Sequence, residues 1–176
     1  LIAGAGPIGL FAVAVAKLSG AMKIFSTDVS DDRLKMATRM GADVVLNPKK
    51  ADVVKEIMQA TDGFGVDIFV ELSGNGEACQ TGLKALRRGG AVSLVGLFNG
   101  PVNLDLVNDV IYKEATVYGI TGRTMFGSWA EASDILDSGK IDITPVITHH
   151  FPMEQFDRAF ETAASGTAGK IIFDVA

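Results

Sequence analysis

Apolar and polar positions alternate along the chain in two rhythms. Short apolar runs, Leu1–Ala3, Ile24–Thr27, Val44–Leu46, Val66–Leu72, Ala91–Leu97 and Thr116–Ile120, read as strands, and Ala91–Leu97 is nearly all apolar, as in a sheet covered on both faces. Longer stretches with helical spacing lie between them. Ile8–Leu18 is apolar on nearly every side, which predicts a helix covered on both sides and ended by Gly20 just past its C-cap. A second helix takes Ser30 as its N-cap, places Asp31 and Asp32 in the favourable first turn and closes at Gly41. Ala51–Ala60 is amphipathic with Val53, Val54, Ile57 and Met58 inward, and Asp62-Gly63 turns the chain into the fourth run. Glu77–Arg88 predicts a helix stopped by Gly89-Gly90, and Ser128 is expected to cap another that runs to Ser138.

Six strands alternating with helices fit an α/β fold, a doubly wound six-stranded parallel sheet. From Ile141 the rhythm changes: Ile147–His150 reads as a strand, Met153–Ala164 as a helix and Lys170–Val175 as a last strand. The expected division is a sheet domain over residues 1–142 and a C-terminal strand-helix-strand segment, 143–176, returning to a neighbouring domain. Leu1 is not Met and starts inside a strand, so the chain is expected to be part of a longer protein whose missing portion lies on the N-terminal side.

At the first strand-to-helix junction stands Gly4-Ala5-Gly6-Pro7-Ile8-Gly9, a Gly-x-Gly-x-x-Gly fingerprint of Rossmann domains. The first glycine permits the tight turn, the second lets a pyrophosphate approach the backbone, and the third lets helix pack on strand. An anion there meets the free N–H groups and the dipole of the helix N-terminus. Pro7 has no N–H, so Ile8 is the expected amide donor. The second strand ends on Asp28, roughly 20 residues after Gly9, where an acid can hold a ribose hydroxyl. Arg33, on the helix that begins beside it, can lay its guanidinium against the adenine or ribose side. Residues 1–142 are thus expected to bind a dinucleotide. Ser73-Gly74-Asn75-Gly76 is a second glycine-rich turn at a strand's C-terminal end, where ligand crevices of such sheets lie.

Composition narrows the partners. With 48% hydrophobic residues the chain can bury a core, and a net charge of −5 without basic clusters leaves no footprint for nucleic acid or an anionic membrane. Residues 1–16 carry no charge and imitate a secretory signal, but they lack a basic leader, are broken by glycine and proline, and fall short of a membrane span of about 20 residues. The one cysteine, Cys79, permits no internal disulfide and reads as a small buried apolar residue, in keeping with a cytoplasmic location.

Chemistry on an alcohol needs a proton acceptor and usually a Lewis acid, and little here provides either. His149 and His150 are adjacent, so in a strand they point to opposite faces, and neither has a Cys or Glu at metal-ligand spacing; a structural role is expected. Arg123 and Trp129 follow the sixth strand, where a packing role and substrate contact are both open. No catalytic and no metal-binding residue is assigned.

Several segments resemble one family, the zinc-dependent medium-chain dehydrogenases. The glycine loop with Thr27-Asp28 is shared across that superfamily. Gly119-Ile-Thr-Gly-Arg123, Met125-Phe126 with Trp129, Pro145-x-Ile-Thr-His149 and Gly169-Lys170 resemble its threonine-oxidising branch, although Gly127-Ser128 departs from the family's usual acid and Thr before the Trp. The resemblance implies NAD as cofactor, with Ile8 at the pyrophosphate, Asp28 and Arg33 at the adenosine ribose, and Val95, Gly96, Leu97, Ile120 and Thr121 beside the nicotinamide half. It also implies hydride transfer from the secondary alcohol of an amino acid, assisted by a zinc ion whose ligands come from an N-terminal domain that this chain lacks. Dimers or tetramers joined through the nucleotide domains are implied as well. Two other readings stand: a polyol or sorbitol-type dehydrogenase of the same superfamily, and a non-catalytic NAD(H) sensor, which would need a recognition element not visible here.

Overall fold

The computed structural model describes residues 1–175. Strand β1 (Ile2–Ala3) leads through the glycine loop into helix α1 (Pro7–Leu18), and the pattern repeats as β2 (Phe25–Thr27), α2 (Asp31–Arg39), β3 (Val44–Leu46), α3 (Val53–Ala60), β4 (Val66–Glu71), α4 (Gly76–Ala85), β5 (Leu86–Leu94) and β6 (Thr116–Gly119). The six strands form one parallel sheet in the order β3-β2-β1-β4-β5-β6. Strand order therefore reverses between β1 and β4, which opens a crevice at their C-terminal ends.

Each face of the sheet carries its own apolar layer. Phe25, Ile57, Phe69, Leu83, Leu86 and Val92 pack on the side of α3 and α4, while Ile2, Leu10, Val13, Ile24, Met36 and Ala37 pack on the side of α1 and α2. Phe69 is fully buried, a burial worth about 1.5–3 kcal/mol by area. The caps lie where local chemistry predicts them. Ser30 accepts the Arg33 N–H, Asp52 accepts the Lys55 N–H, and Gly20 and Gly41 follow the C-caps of α1 and α2 with positive φ.

Four expectations need correction. Helix α4 ends at Ala85 rather than Arg88, and β5 spans Leu86–Leu94 instead of Ala91–Leu97, because Lys113 reaches back and caps the helix: its Nζ donates to the carbonyls of Leu83, Lys84 and Leu86 at 2.6–2.8 Å. Helix α1 buries Gly9, Leu10, Val13 and Ala14, but its outer face is open, with Ile8 67% and Val15 42% exposed, so it is covered on one side only among the described residues. Ser128 does not cap α5 (Gly127–Asp137): Phe126 holds that position, and the Ser128 hydroxyl donates to the Thr124 carbonyl at 2.7 Å. The stretch before β6 includes one π-helical turn, Val107–Ile111.

After α5 come β7 (Ile147–Pro152), α6 (Phe156–Ala164) and β8 (Lys170–Asp174), with the two strands paired in a separate parallel sheet. A short 3-10 turn, Thr144–Val146, precedes β7, and fully buried Val146 joins the layer of α1 and α2. Helix α5 itself buries none of its described residues.

Candidate functional site at the strand-order reversal

The glycine loop sits at the tip of β1, and its three glycines answer three different constraints. Gly4 has φ +96°, and a Cβ there would stand 2.9 Å from the Ser73 nitrogen. A Cβ on Gly9 would meet the Gly4 carbonyl oxygen at 1.8 Å, so helix and strand can close only around glycine. Gly6 is different. Nothing lies within 4 Å of where its Cβ would be, which leaves open space in front of the backbone. Pro7 occupies the first turn of α1, whose N-terminus carries no side-chain cap.

Asp28 follows β2 and faces this loop. Its Oδ2 accepts the Ala5 N–H and its Oδ1 the Ser30 N–H, both at 2.8 Å, so the carboxylate is oriented by backbone on either side. Arg33 approaches the same carboxylate with Nη1 at 3.9 Å from Oδ2, and its Nε is buried with no hydrogen-bond partner among the described residues. A guanidinium donor left unpaired in a cleft wall has an unmet demand for an acceptor. Asn47, after β3, fastens the loop behind Asp28: its Nδ2 donates to the Val29 carbonyl at 3.1 Å and to Asp31 Oδ1 at 2.8 Å. Asp31, held also by Lys50, has its carboxyl below the usual carboxylate range, chiefly through the Lys50 and Asn47 hydrogen bonds.

These residues wall a cleft of about 660 Å³, a size suited to a small-molecule ligand. Gly4, Gly6, Asp28 and Arg33 line it from one side, and Ser73, Asn75, Ala78 and Thr81 from the other. Pro48, Lys49 and Val53 line it as well. Ile8 stands exposed at the helix start. Val95, Gly96, Leu97, Ile120 and Thr121 do not line this cleft; they form the neighbouring crest after β5 and β6. There the Ile120 N–H donates to the Leu94 carbonyl at 2.9 Å and Leu97 is 87% exposed.

Two residues at the site escape sequence reasoning. Asn47 is one; Glu71, the last residue of β4, is the other. Glu71 is 0% exposed and accepts the N–H groups of Ser73 at 2.8 Å and Gly74 at 3.1 Å, along with the Ser73 hydroxyl. The signal was an acid inside the apolar run Val66–Leu72. Behind it, burial and then the Glu71 charge push the Cys79 thiol up to about 11.

The histidines lie elsewhere, on β7. His149 Nδ1 is 2.8 Å from Thr148 Oγ1 and its ring stacks on Phe151, while His150 Nδ1 is 3.2 Å from Asp174 Oδ1. Arg123 lies 5.2 Å over the Trp129 ring, a pair at the start of α5. No three His, Cys, Asp or Glu side chains converge as metal ligands among the described residues, so the residues present do not fit a zinc ion. No helix of the described residues is long and apolar enough to cross a membrane.

The family model described as "Zinc-binding dehydrogenase" matches residues 7–138. The chain belongs to the zinc-binding dehydrogenase family. Within that family it is 48% identical to the L-threonine 3-dehydrogenase of Pyrococcus furiosus over 174 residues, covering 98% of this chain and 50% of that protein. It is 44% identical to the L-threonine 3-dehydrogenase of Bacillus licheniformis over 171 residues, covering 97% and 49%. Among solved structures, benzyl alcohol dehydrogenase from Acinetobacter calcoaceticus matches with a TM-score of 0.90 at 28% identity, covering 99% of this chain and 49% of that one. The chain spans about half the length of the relatives it matches.

Proposed function

We propose that this chain is the NAD-binding half of a dehydrogenase that transfers hydride from the secondary alcohol of L-threonine, giving 2-amino-3-oxobutanoate. The observation that carries the cofactor reading is the open space in front of Gly6 at the strand-order reversal. Gly6 would leave room for the pyrophosphate at the N-terminus of α1, with Ile8 and Gly9 as amide donors. Asp28, already oriented by Ala5 and Ser30, would accept the ribose hydroxyls, and Arg33 would offer its unpaired Nε to the adenosine side. Bound NAD supplies the hydride acceptor. Val95, Gly96, Leu97, Ile120 and Thr121 would flank its nicotinamide end.

The threonine reading is supported by the identity to L-threonine 3-dehydrogenases over nearly the whole chain. In this reading residues 143–176 return to a catalytic domain that supplies the zinc ligands and the proton acceptor, and the 176-residue chain alone is inactive on threonine. Homo-oligomers, dimers or tetramers, are proposed through the edge strand β6, where Val117 and Tyr118 stand exposed. Turnover of threonine against sorbitol by the full-length protein tests the substrate: preference for sorbitol would replace this reading with a polyol dehydrogenase.

A further inference from the structure

We infer that Glu71 is a positioning residue for the nicotinamide end of the proposed cofactor site, acting by clasping together the two crest loops that follow β4 and β5. The inference rests on the NAD reading above.

Glu71 occupies the register position between β1 and β5, opposite Ala3 on one side and Leu94 on the other. Its carboxyl group is wholly buried, and the hydrogen-bond donors it receives come from one loop: the N–H groups of Ser73 and Gly74 and the hydroxyl of Ser73. Its main-chain carbonyl reaches the other loop, accepting the N–H groups of Val95 at 3.0 Å and Gly96 at 2.9 Å. The loops are in contact where they meet this residue. A Cβ on Gly96 would lie 2.4 Å from Glu71 Oε2 and 2.4 Å from the Gly74 nitrogen; a Cβ on Gly74 would lie 2.4 Å from the Leu97 carbonyl oxygen. The backbone of residues 95–97 is thus held by the main-chain carbonyl of residue 71 and packs against its carboxyl group and the Gly74 backbone.

Replacing Glu71 with Gln keeps size and shape but turns one acceptor oxygen into an NH2 donor facing N–H groups, which pushes Gly74 off the carboxyl position. The consequence falls on the crest loops and spares the Asp28 end of the cleft. NAD and ADP-ribose separate the two ends, because they share adenosine, ribose and diphosphate and differ only in the nicotinamide.

The test is calorimetric titration of NAD and of ADP-ribose into the 176-residue chain and its Glu71→Gln variant. NAD affinity is expected to fall about tenfold, the worth of one hydrogen bond to a charged group, while ADP-ribose affinity stays within about twofold. Equal losses for both ligands, or no loss for NAD, would overturn the clasp. A wild-type chain that binds neither nucleotide would instead overturn the cofactor reading. Should Glu71→Gln not fold, Ser73→Ala removes the hydroxyl that donates to Glu71 and accepts the Asn75 N–H, leaving the carboxyl group in place, and is expected to shift the NAD to ADP-ribose affinity ratio in the same direction by about threefold; an unchanged ratio there also overturns the clasp.

Discussion

The Oδ2 atom of Asp28 accepts the N–H of Ala5 at 2.8 Å, so the acid at the end of β2 and the glycine loop at the end of β1 form one unit. A ligand that pairs with Asp28 would thereby be placed against Gly6 and the N-terminus of α1, two features far apart in sequence that this hydrogen bond joins in one wall of the cleft. In the proposed cofactor reading, the charge of Asp28 decides which dinucleotide fits.

NAD is expected to bind more tightly than NADP, because a 2′-phosphate would approach the Asp28 carboxylate. Two unit charges about 4 Å apart repel by roughly 4 kcal/mol at an effective dielectric near 20. Halved by screening and by Arg33 at 3.9 Å, this leaves about 2 kcal/mol, or more than tenfold. Dissociation constants for both cofactors with wild type and Asp28→Ser check it. The variant is expected to gain affinity for NADP and, having lost the Ala5 tether, to lose affinity for NAD; equal wild-type constants would remove Asp28 from the ribose site.

Gly6 and Gly9 are expected to fail in opposite ways. At Gly6 the added side chain enters open space, so Gly6→Val should keep the fold and block the pyrophosphate. At Gly9 a methyl collides with the Gly4 carbonyl, and Gly9→Ala should cost about 3 kcal/mol of stability. Urea unfolding beside NAD titration distinguishes them: a Gly6→Val chain that binds NAD normally, or a Gly9→Ala chain of unchanged stability, contradicts the loop's geometry.

Cys79 should resist alkylation in the folded chain. Its thiol is buried and its pKa is raised to about 11, so it is neutral at pH 7 and out of reach of reagent. Because the folded value lies above the unfolded one, the stability from keeping this thiol neutral is fully present below about pH 9 and is lost as the pH rises through about 11. Labelling with iodoacetamide at pH 8, with and without urea, is expected to show modification only on unfolding.

Asp43 links the starts of β2 and β3. It accepts the Ile24 N–H at 2.7 Å and pairs with Lys17 at 3.4 Å, which together hold its carboxyl below the usual range, the Ile24 bond contributing most. A lowered folded pKa stabilises above the ordinary aspartate value and is lost as the pH falls through the folded one. Asp43→Ala should therefore lower the urea midpoint at pH 7, with the gap to wild type narrowing below about pH 3.9. A gap independent of pH would show that the carboxylate charge does not contribute.

How much of this could be read from the sequence follows from the range of each interaction. Gly4 to Gly9, the cap at Ser30 and the turn at Asp62-Gly63 depend on neighbours a few residues away, and Asp28 on strand length alone, so all were legible. Lys113 capping α4 from 27–30 residues away is not, which is why α4 ends and β5 begins a few residues earlier than local pattern predicts. Asn47 escapes for the same reason, its partners Val29 and Asp31 lying 16–18 residues away; Glu71 bonds its neighbours Ser73 and Gly74, but its burial and its hold on Val95 and Gly96 arise only in the folded sheet. The open face of α1 is not legible, because apolar composition reports what can be covered, while Ile8 and Val15 stay exposed here.

The most direct test of the central claim is an amide ¹H–¹⁵N titration of the chain with NAD, which reports affinity and location together. Saturable shifts are expected at Gly4, Gly6, Ile8, Gly9, Asp28, Arg33 and Ser73, with a second group at Val95, Gly96 and Leu97 that is absent with ADP-ribose. A folded chain whose amides at the glycine loop and Asp28 do not move, or move only together with distant surface residues such as those of α6, would contradict the account.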